Sequence, residues 1–501
     1  MSKLFKNIIY NLIGQGLVLI ISFAAVKYVF GRLGAEALGI IYFTVAVNAV
    51  LATVLEMGIS STIVREISGH FDSDKKYIED FVRTFSLFYW SIYLLASLII
   101  FFMAPFFVHH WIRLSEINPS TAIYILRILG ISSVMGLLRS FYTSLIRGLQ
   151  KMGIVNFIDV VTSALQQFGA ILILILGGGL LPVVYWFAAS HILRVVIYFF
   201  FCLRSFSFSA VVPKASLNVL KRNFKFAFKT ALISFFSIIH TQADKIIISK
   251  LLPVATLGYY SLAYSGVSQG TTLTDSVSQA VYPSFSALYK AGDKNSLMAQ
   301  YHKLQDFVCF CILPIFAMIV FVTIPLFSYI FNRQVADLLL LPVTLLCIGF
   351  YMNGTVTVPY MFSLAVGKPG IGAKFNFFAL FVVLPLTIIL IYFFGLTGAG
   401  LAWVFYNIFS YSYAMPRICK ECINIKPKDW FFHITRIFIL AILTYGLSWL
   451  VLSAIKNHSI IALTLAYLSA SVAYSFFSYF LITKELRKTI IYYFKLIFRL
   501  K

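Results

Sequence analysis

Ten charged residues interrupt apolar runs that are long enough to cross a lipid bilayer. A charge at the bilayer centre costs several kcal/mol unless it faces water or a partner, so each of these residues is a candidate for function. Cations outnumber anions among them, and a cavity lined in this way would attract an anionic ligand. The ten residues are Lys27, Glu56, Arg127, Arg139, Asp159, Arg194, Asp244, Lys245, Asp275 and Arg436.

The cations among them indicate a binding site for an anion. A planar guanidinium group matches the geometry of a phosphate or a carboxylate. We predict a cationic site formed by Arg127, Arg139, Arg194 and Lys27. Arg127 and Arg139 would lie about 18 Å apart along a helix, so they mark successive depths rather than one point. Lys27 has a second interpretation, in which its side chain extends to a membrane interface.

The acids among them are candidates for coupling transport to an ion gradient. A carboxylate inside a membrane span can bind a proton or a sodium ion on one side and release it on the other. The candidates are Glu56, Asp275, Asp244 and Asp159, although Asp244 and Lys245 are adjacent and could simply pair with each other. No cofactor and no metal site are expected beyond this coupling to H⁺ or Na⁺.

The high hydrophobic content of the chain indicates that these charged residues lie on membrane-spanning helices. Of the 501 residues, 60% are hydrophobic and 11% are charged, and the mean hydropathy is +0.91. Soluble domains are about half apolar and a quarter charged, so the excess must face lipid. Apolar runs of about 20 residues recur along the chain, and their backbone groups must be satisfied internally. We predict an all-α polytopic membrane protein with about fourteen transmembrane helices.

The net charge of +23 has a topological explanation. In a soluble protein such a charge would favour a nucleic-acid partner, which we do not expect here. Lys and Arg concentrate in cytoplasmic loops of membrane proteins. With the N-terminus inside, alternate loops and the tail carry most of the basic residues, so both termini are predicted to be cytoplasmic.

The two halves of the chain repeat each other. In the register that places Gly258 on Gly39, which we call the glycine register, Asp275 falls on Glu56. Further along, a slightly shorter shift places Trp403 on Trp186, and we call this the tryptophan register. The repeat predicts two six-helix lobes, 1–208 and 230–422, joined by a basic cytoplasmic linker, 209–229.

Residues 423–501 have no partner in the repeat. They are predicted to form an extra helix pair and a basic tail. The tail is typical of an interfacial amphipathic helix or of a simple positive anchor for the last span.

Several short motifs follow one another over about the first 420 residues. They are Leu33-Gly34-x-Glu36-x-x-Gly39, Leu55-Glu56-x-Gly58, Arg65-Glu66, Asp244 with Gly258-Tyr259-Tyr260-x-x-Ala263, and Gly395-x-x-Gly398-Ala399-Gly400-Leu401-Ala402. Together they resemble the polysaccharide flippases of the multidrug/oligosaccharidyl-lipid/polysaccharide exporter superfamily. Their order and repetition make the resemblance stronger than any single motif.

The resemblance implies a transporter with two lobes around a cationic central cavity. Such proteins flip undecaprenyl-pyrophosphate-linked oligosaccharides, the repeat units of O-antigen, capsule and related polysaccharides, by alternating access. It also implies the bacterial cytoplasmic (inner) membrane as location. The implied partners are the lipid-linked oligosaccharide, membrane lipids and polysaccharide assembly proteins.

Two other functions remain open from the sequence. A multidrug or cation exporter of the same superfamily would need a cavity dominated by acids, and the excess of Arg and Lys argues against it. A membrane glycan polymerase or ligase would need a large outside loop with catalytic groups. The predicted outside loops are short, so we expect a transporter without enzymatic activity. The phosphate-binding motif GxxxxGK[ST] is missing from the sequence, so the chain is not expected to hydrolyse ATP itself.

Overall fold

The computed structural model describes residues 3–56, 59–71, 74–149, 151–455, 459–483, 486–487 and 491. In these ranges the regular structure is helical, and no β-strand occurs. Ten helical segments of the described chain are long and apolar enough to cross a membrane. The sequence prediction of an all-α polytopic membrane protein is therefore confirmed.

The first nine helices in chain order carry all of the predicted site residues except Asp275. They are α1 (Lys3–Glu56), α2 (Ile59–His70), α3 (Lys75–Phe106), α4 (Pro119–Val134), α5 (Gly136–Gly148), α6 (Met152–Ile175), α7 (Leu180–Leu203), α8 (Phe208–Val211) and α9 (Leu217–Leu251). A π-helical turn, Phe107–Trp111, extends α3.

The remaining helices include the C-terminal pair. They are α10 (Val254–Ser268), α11 (Thr272–Lys290), α12 (Lys294–Ile330), α13 (Arg333–Ala365), α14 (Gly370–Ile418), α15 (Pro427–Ala441), α16 (Leu447–Ile455) and α17 (Ile460–Leu481). A 3₁₀ turn, Gln269–Thr271, and two π-helical turns, Cys419–Ile423 and Ile442–Gly446, join successive helices.

A count of fourteen spans is consistent with these helices, because α1 and α14 each contain two predicted spans. Within α1 only Gly34 leaves helical geometry, with φ 80° and ψ 172°. Within α14 only Gly395 does so, with φ 56° and ψ −131°. Each of these two helices is thus broken at a single residue. Such positive φ values are readily adopted only by glycine, because it has no Cβ.

The chain folds into two compact units, Met1–Ser261 and Leu262–Lys501. The first unit includes α9 and the start of α10, which pack against α1 and the loop after α3. Lys250 at the end of α9, for example, donates a hydrogen bond to the carbonyl of His110, and Trp111 donates to Ser249 over 3.1 Å. This division does not test the lobe boundaries that the repeat predicts, and they stay a prediction.

Two motif glycines of the repeat meet at the crossing of α1 and α10. A Cβ on Gly39 would lie 2.0 Å from the carbonyl oxygen of Val254, and one on Gly258 would lie 2.9 Å from that of Ala35. In the glycine register Gly258 falls on Gly39 and Val254 falls on Ala35. The contact of Gly39 with Val254 and the contact of Gly258 with Ala35 therefore involve equivalent positions of the two repeats. Such self-complementary contacts are typical of two-fold symmetry. Both glycines of the motifs therefore serve close backbone packing.

Glu36 of the first motif fixes the outside loop that follows α3. Its buried carboxylate accepts backbone hydrogen bonds from Ser115 at 2.9 Å, Glu116 at 2.7 Å and Ile117 at 3.4 Å. A carboxylate that accepts several amide N–H groups compensates the loss of its hydration. This motif residue has a structural role within the first unit.

The segment predicted as a linker is largely helical and packs on α3. The carbonyl of Ser209 accepts from Arg83 Nε at 2.8 Å, and the carbonyl of Val211 accepts from Ser86 at 2.8 Å. From Leu217 onward the chain is already in α9. These contacts hold residues 209–211 against α3 within the first unit.

The C-terminal helices pack against α12 in the second unit through a buried acid. Asp306 Oδ1 lies 2.9 Å from His433 Nε2 on α15, and its Oδ2 accepts from the backbone N of Thr483 at 2.6 Å. Tyr474 on α17 also donates to the carbonyl of Phe310 over 3.3 Å. The predicted helix pair exists, but the predicted amphipathic tail after it lies almost wholly outside the described residues.

Candidate functional site

Three helices of the first unit bring charged residues together within apolar helical segments. Arg139 lies on α5, Asp159 on α6 and Arg194 on α7. Arg139 Nη1 lies 3.4 Å from Asp159 Oδ1, and both side chains are partly exposed, by 41% and 31%. We call Arg139, Asp159 and Arg194 the cation cluster. The long distance and the exposure show that this ion pair leaves room for another ligand.

Arg194 is the more buried cation of the cluster. Its Nη2 donates to Ser163 Oγ and to Gln166 Oε1, each over 3.3 Å, and its Nε is buried without a hydrogen-bond partner. Arg139 and Asp159 are close enough to affect it electrostatically. Two guanidinium groups thus lie near one carboxylate, which pairs with Arg139 alone, and the cluster carries a net positive charge.

The fold itself does not require this cluster. In the glycine register Arg139 falls on Val358 and Asp159 on Phe378. In the tryptophan register Arg194 falls on Tyr411. The second half therefore builds the equivalent helices without these charges. A buried charge that the packing does not need is a strong candidate for function.

The structure does not place Arg127 with Arg139 and Arg194 in one ion-pair network. Arg127 on α4 donates from Nε to the carbonyl of Phe101 over 3.1 Å, and its guanidinium lies 4.1 Å from the centre of that ring. Lys27 lies half-buried on α1, a helix that packs against α6. The binding roles assigned to Arg127 and Lys27 stay predictions.

The other predicted ion-coupling acids have separate surroundings. Glu56, at the end of α1, accepts hydrogen bonds from Tyr89 and Ser140, each over 2.8 Å. Asp244 accepts from Tyr260 over 2.6 Å and lies 3.6 Å from the ammonium group of Lys245. The local pair that the sequence left open for Asp244 is therefore formed.

Asp275 is exposed on α11 in the second unit, where Thr271 donates to it over 3.3 Å. Asp275 aligns with Glu56 in the repeat, but the two carboxylates have different surroundings. Glu56 is held by two hydroxyl groups from other helices, whereas the bond to Asp275 comes from its own helical turn. The coupling role of all four acids stays a prediction.

Sequence reasoning missed several polar partners of the cluster. Ser163 and Gln166 follow Asp159 at four and seven residues, and His191 precedes Arg194 by three. Residues at these spacings lie on one face of a helix. Looking for polar residues three, four or seven positions from each charged residue would therefore have identified Ser163, Gln166 and His191. Asp306 was also missed, because it lies at the start of an apolar run and not inside it.

The chain matches known proteins over most of its length. A family model described as "Polysaccharide biosynthesis protein" matches residues 32–339. A protein of Shigella flexneri, a "Putative O-antigen transporter", is 21% identical over 413 residues, covering 80% of this chain and 94% of that protein.

Solved structures of transporters share the fold. The lipid II flippase MurJ in an inward closed conformation matches with a TM-score of 0.68 and 16% identity, covering 94% of this chain and 98% of that one. An inward-facing multidrug resistance transporter of the MATE family and MOP superfamily matches with a TM-score of 0.61 and 15% identity, covering 80% and 95%. These likenesses show a common helical architecture.

Proposed function

Because the chain belongs to the polysaccharide biosynthesis protein family, whose model covers more than half of it, we propose that it flips a lipid-linked oligosaccharide across a membrane. The substrate is an undecaprenyl-pyrophosphate-linked repeat unit of O-antigen, capsule or a related surface polysaccharide. The name of the Shigella flexneri relative, a putative O-antigen transporter, supports this substrate class.

The cation cluster is the observation that carries this proposal. Arg139 pairs with Asp159 over 3.4 Å, whereas Arg194 has only neutral hydrogen-bond partners and a buried Nε without one, which leaves guanidinium donors for an anion. Charge-assisted hydrogen bonds from arginine to phosphate are short and strong, and they gain further strength away from bulk water. In the proposed transport cycle Arg139 and Arg194 bind the pyrophosphate while the polyprenyl chain stays in the lipid bilayer.

Transport in this proposal is powered by an ion gradient and involves no cofactor. Glu56 is the better placed of the carboxylates to exchange an ion, because Tyr89 and Ser140 already direct two hydroxyl groups at it. A proton on the carboxylate, or a sodium ion beside it, would change these bonds as access alternates. Asp275, Asp244 and Asp159 are the further candidates.

The proposal includes a location and a topology. The protein resides in the bacterial cytoplasmic membrane with both termini in the cytoplasm, where it receives the lipid-linked unit from the enzymes that assemble it. It acts as a transporter and not as an enzyme. The ten apolar helical segments make it a multi-pass membrane protein.

A deletion strain tests the transport function. We expect the lipid-linked repeat unit to accumulate on the cytoplasmic leaflet and the surface glycan to disappear. Arg139→Gln and Arg194→Gln should each restore at most a tenth of the wild-type glycan, because a lost charge-assisted bond is worth about 1.5–3 kcal/mol. The matched control is Arg333→Gln, which breaks an exposed pair with Asp337 of 3.1 Å and should restore export fully.

Normal surface glycan in the deletion strain would exclude this function. Full activity of both cluster variants would exclude the cluster as the binding site. A changed drug-sensitivity profile with normal glycan would instead favour the multidrug exporter.

Ion coupling is tested separately in vesicles that contain the purified protein. Imposed pH and sodium gradients should each be compared for their effect on the flipping of a fluorescent lipid-linked sugar. We expect one gradient to accelerate flipping and Glu56→Gln to abolish that acceleration. Equal rates with and without either gradient would refute the coupling.

A further inference from the structure

A small cavity lies in the first unit beside the cation cluster. Its volume is about 180 Å³, and it is bounded by side chains of α1, α4, α6 and α7. The cavity is smaller than the pockets of about 300–1,000 Å³ that take drug-sized ligands. The cavity fits one ring-sized group.

The polar lining of the cavity is neutral. Gln166, Gln167 and His191 contribute polar groups, and none of the side chains that line it is formally charged at pH 7, with His neutral. The His191 Nδ1 atom is buried, and the backbone of Ser132 is near enough to interact with the imidazole ring. Amide side chains both donate and accept hydrogen bonds, as sugar hydroxyl groups do. A mostly apolar wall with a few such groups is typical of a small-molecule site.

The repeat shows that the packing does not need these polar groups. In both registers Gln166 and Gln167 fall within Val383–Leu386, which is wholly apolar, and in the tryptophan register His191 falls on Ile408. Burying the polar groups of Gln166, Gln167 and His191 costs free energy that apolar residues at the same positions would avoid. A ligand that forms hydrogen bonds with these groups accounts for their presence.

Gln166 connects this cavity to the cation cluster. Its Oε1 accepts from Arg194 Nη2 over 3.3 Å, while the residue itself lines the cavity. If Arg139 and Arg194 hold the anionic group of a substrate, the part of the substrate attached to that group would therefore lie at the cavity. In a lipid-linked oligosaccharide the group next to the pyrophosphate is a sugar.

We propose that this cavity binds one uncharged sugar residue of the oligosaccharide, with Gln166, Gln167 and His191 as its hydrogen-bonding residues. The proposal rests on the proposed function and adds a second subsite to it. The cluster recognises the pyrophosphate, which every substrate of this class shares. The cavity recognises the sugar, and it therefore contributes specificity.

Binding of free sugars to the purified, full-length protein in lipid nanodiscs tests the subsite. Saturation-transfer NMR would be recorded with glucose, galactose, N-acetylglucosamine and rhamnose, and with glucuronate as the charged analogue of glucose. We expect at least one neutral sugar to bind and glucuronate to bind more weakly than glucose. Gln166→Ala and His191→Ala should each weaken binding roughly tenfold, because each leaves sugar hydroxyl groups unpaired.

Gln300→Ala is the matched control. Gln300 exchanges hydrogen bonds with Ser284 in the second unit, over 2.9 and 3.1 Å, and its loss should leave sugar binding unchanged. The subsite is refuted if no neutral sugar binds, if glucuronate binds best, or if all three variants behave alike.

The outcome is independent of the transport test. A protein that binds no sugar but whose deletion traps the precursor refutes only the subsite. A protein that binds sugar but whose deletion leaves the surface glycan normal refutes the proposed function.

Discussion

Replacing Gly39 with alanine would push a methyl group into the backbone of the neighbouring helix. The new Cβ would lie 2.0 Å from the carbonyl oxygen of Val254, whereas a carbon and an oxygen in contact lie about 3.3 Å apart. The crossing of α1 and α10 would have to open by about 1.3 Å to relieve the clash. Overpacking of an interior costs about 1–3 kcal/mol, and backbone atoms cannot turn aside as a side chain can, so we expect a loss at or above the upper limit.

The symmetry of the crossing gives a graded series. Gly258→Ala would bring a Cβ to 2.9 Å from the carbonyl oxygen of Ala35, which requires a shift of only about 0.4 Å, so its loss should be near 1 kcal/mol. Gly31→Ala is the matched control, because a Cβ there meets nothing within 4 Å.

The assay is thermal unfolding of the purified proteins in detergent, with surface glycan in the deletion strain as a second readout. We expect the melting temperature to fall most for Gly39→Ala and less for Gly258→Ala, and to stay unchanged or rise for Gly31→Ala, since alanine favours helix over glycine. If Gly39→Ala melted together with Gly31→Ala, the crossing would not be close-packed and the reasoning would be wrong.

Three further predictions follow from polar groups outside the cation cluster. Glu36→Gln turns a donor toward the backbone amides that the carboxylate now binds, so hydrogen exchange of residues 115–117 should rise; unchanged protection would show that the loop has other support. Asp306→Asn removes the buried negative charge that faces His433 and the backbone N of Thr483, and it should increase exchange in α15 and α17. Asp337→Asn is the control, because it breaks an exposed pair worth at most about 1 kcal/mol. Hydrogen bonds from Ser296 hold the pKa of Asp293 below its ordinary value. The Asp293 carboxylate therefore stabilises the folded protein fully at pH values above its pKa in the unfolded chain, and this stabilisation is lost as the pH falls through its lower pKa in the folded protein. The difference in melting temperature between wild type and Asp293→Asn should therefore shrink in acid, and parallel curves would contradict it.

Composition and periodicity were sufficient to predict the class of the fold. Apolar runs of span length can only be helices in lipid, and the helices α1 to α17 bear this out. Turn positions were less precise, because the sequence shows a glycine but not which one breaks the helix. Gly34 and Gly395 alone do so within α1 and α14.

The motif residues illustrate what a sequence pattern leaves open. Glu36 and Gly39 supported a resemblance to flippases, yet in this structure both serve packing, one by binding loop amides and the other by admitting a carbonyl group. Asp306 and His433 are far apart in the sequence, and no periodicity relates residues at such a separation. Their pairing depends on how the C-terminal helices dock.

The sequence by itself determined that this chain is a repeated, helical membrane protein with more cations than acids in its spans, because bilayer thickness and the cost of buried charge act on each segment separately. Only the tertiary structure decided which charges meet. Arg139, Asp159 and Arg194 come from three helices whose rotation and depth are set by packing against their neighbours. The same packing placed Gln166 and His191 around a neutral cavity and kept Asp244 with Lys245 and Tyr260.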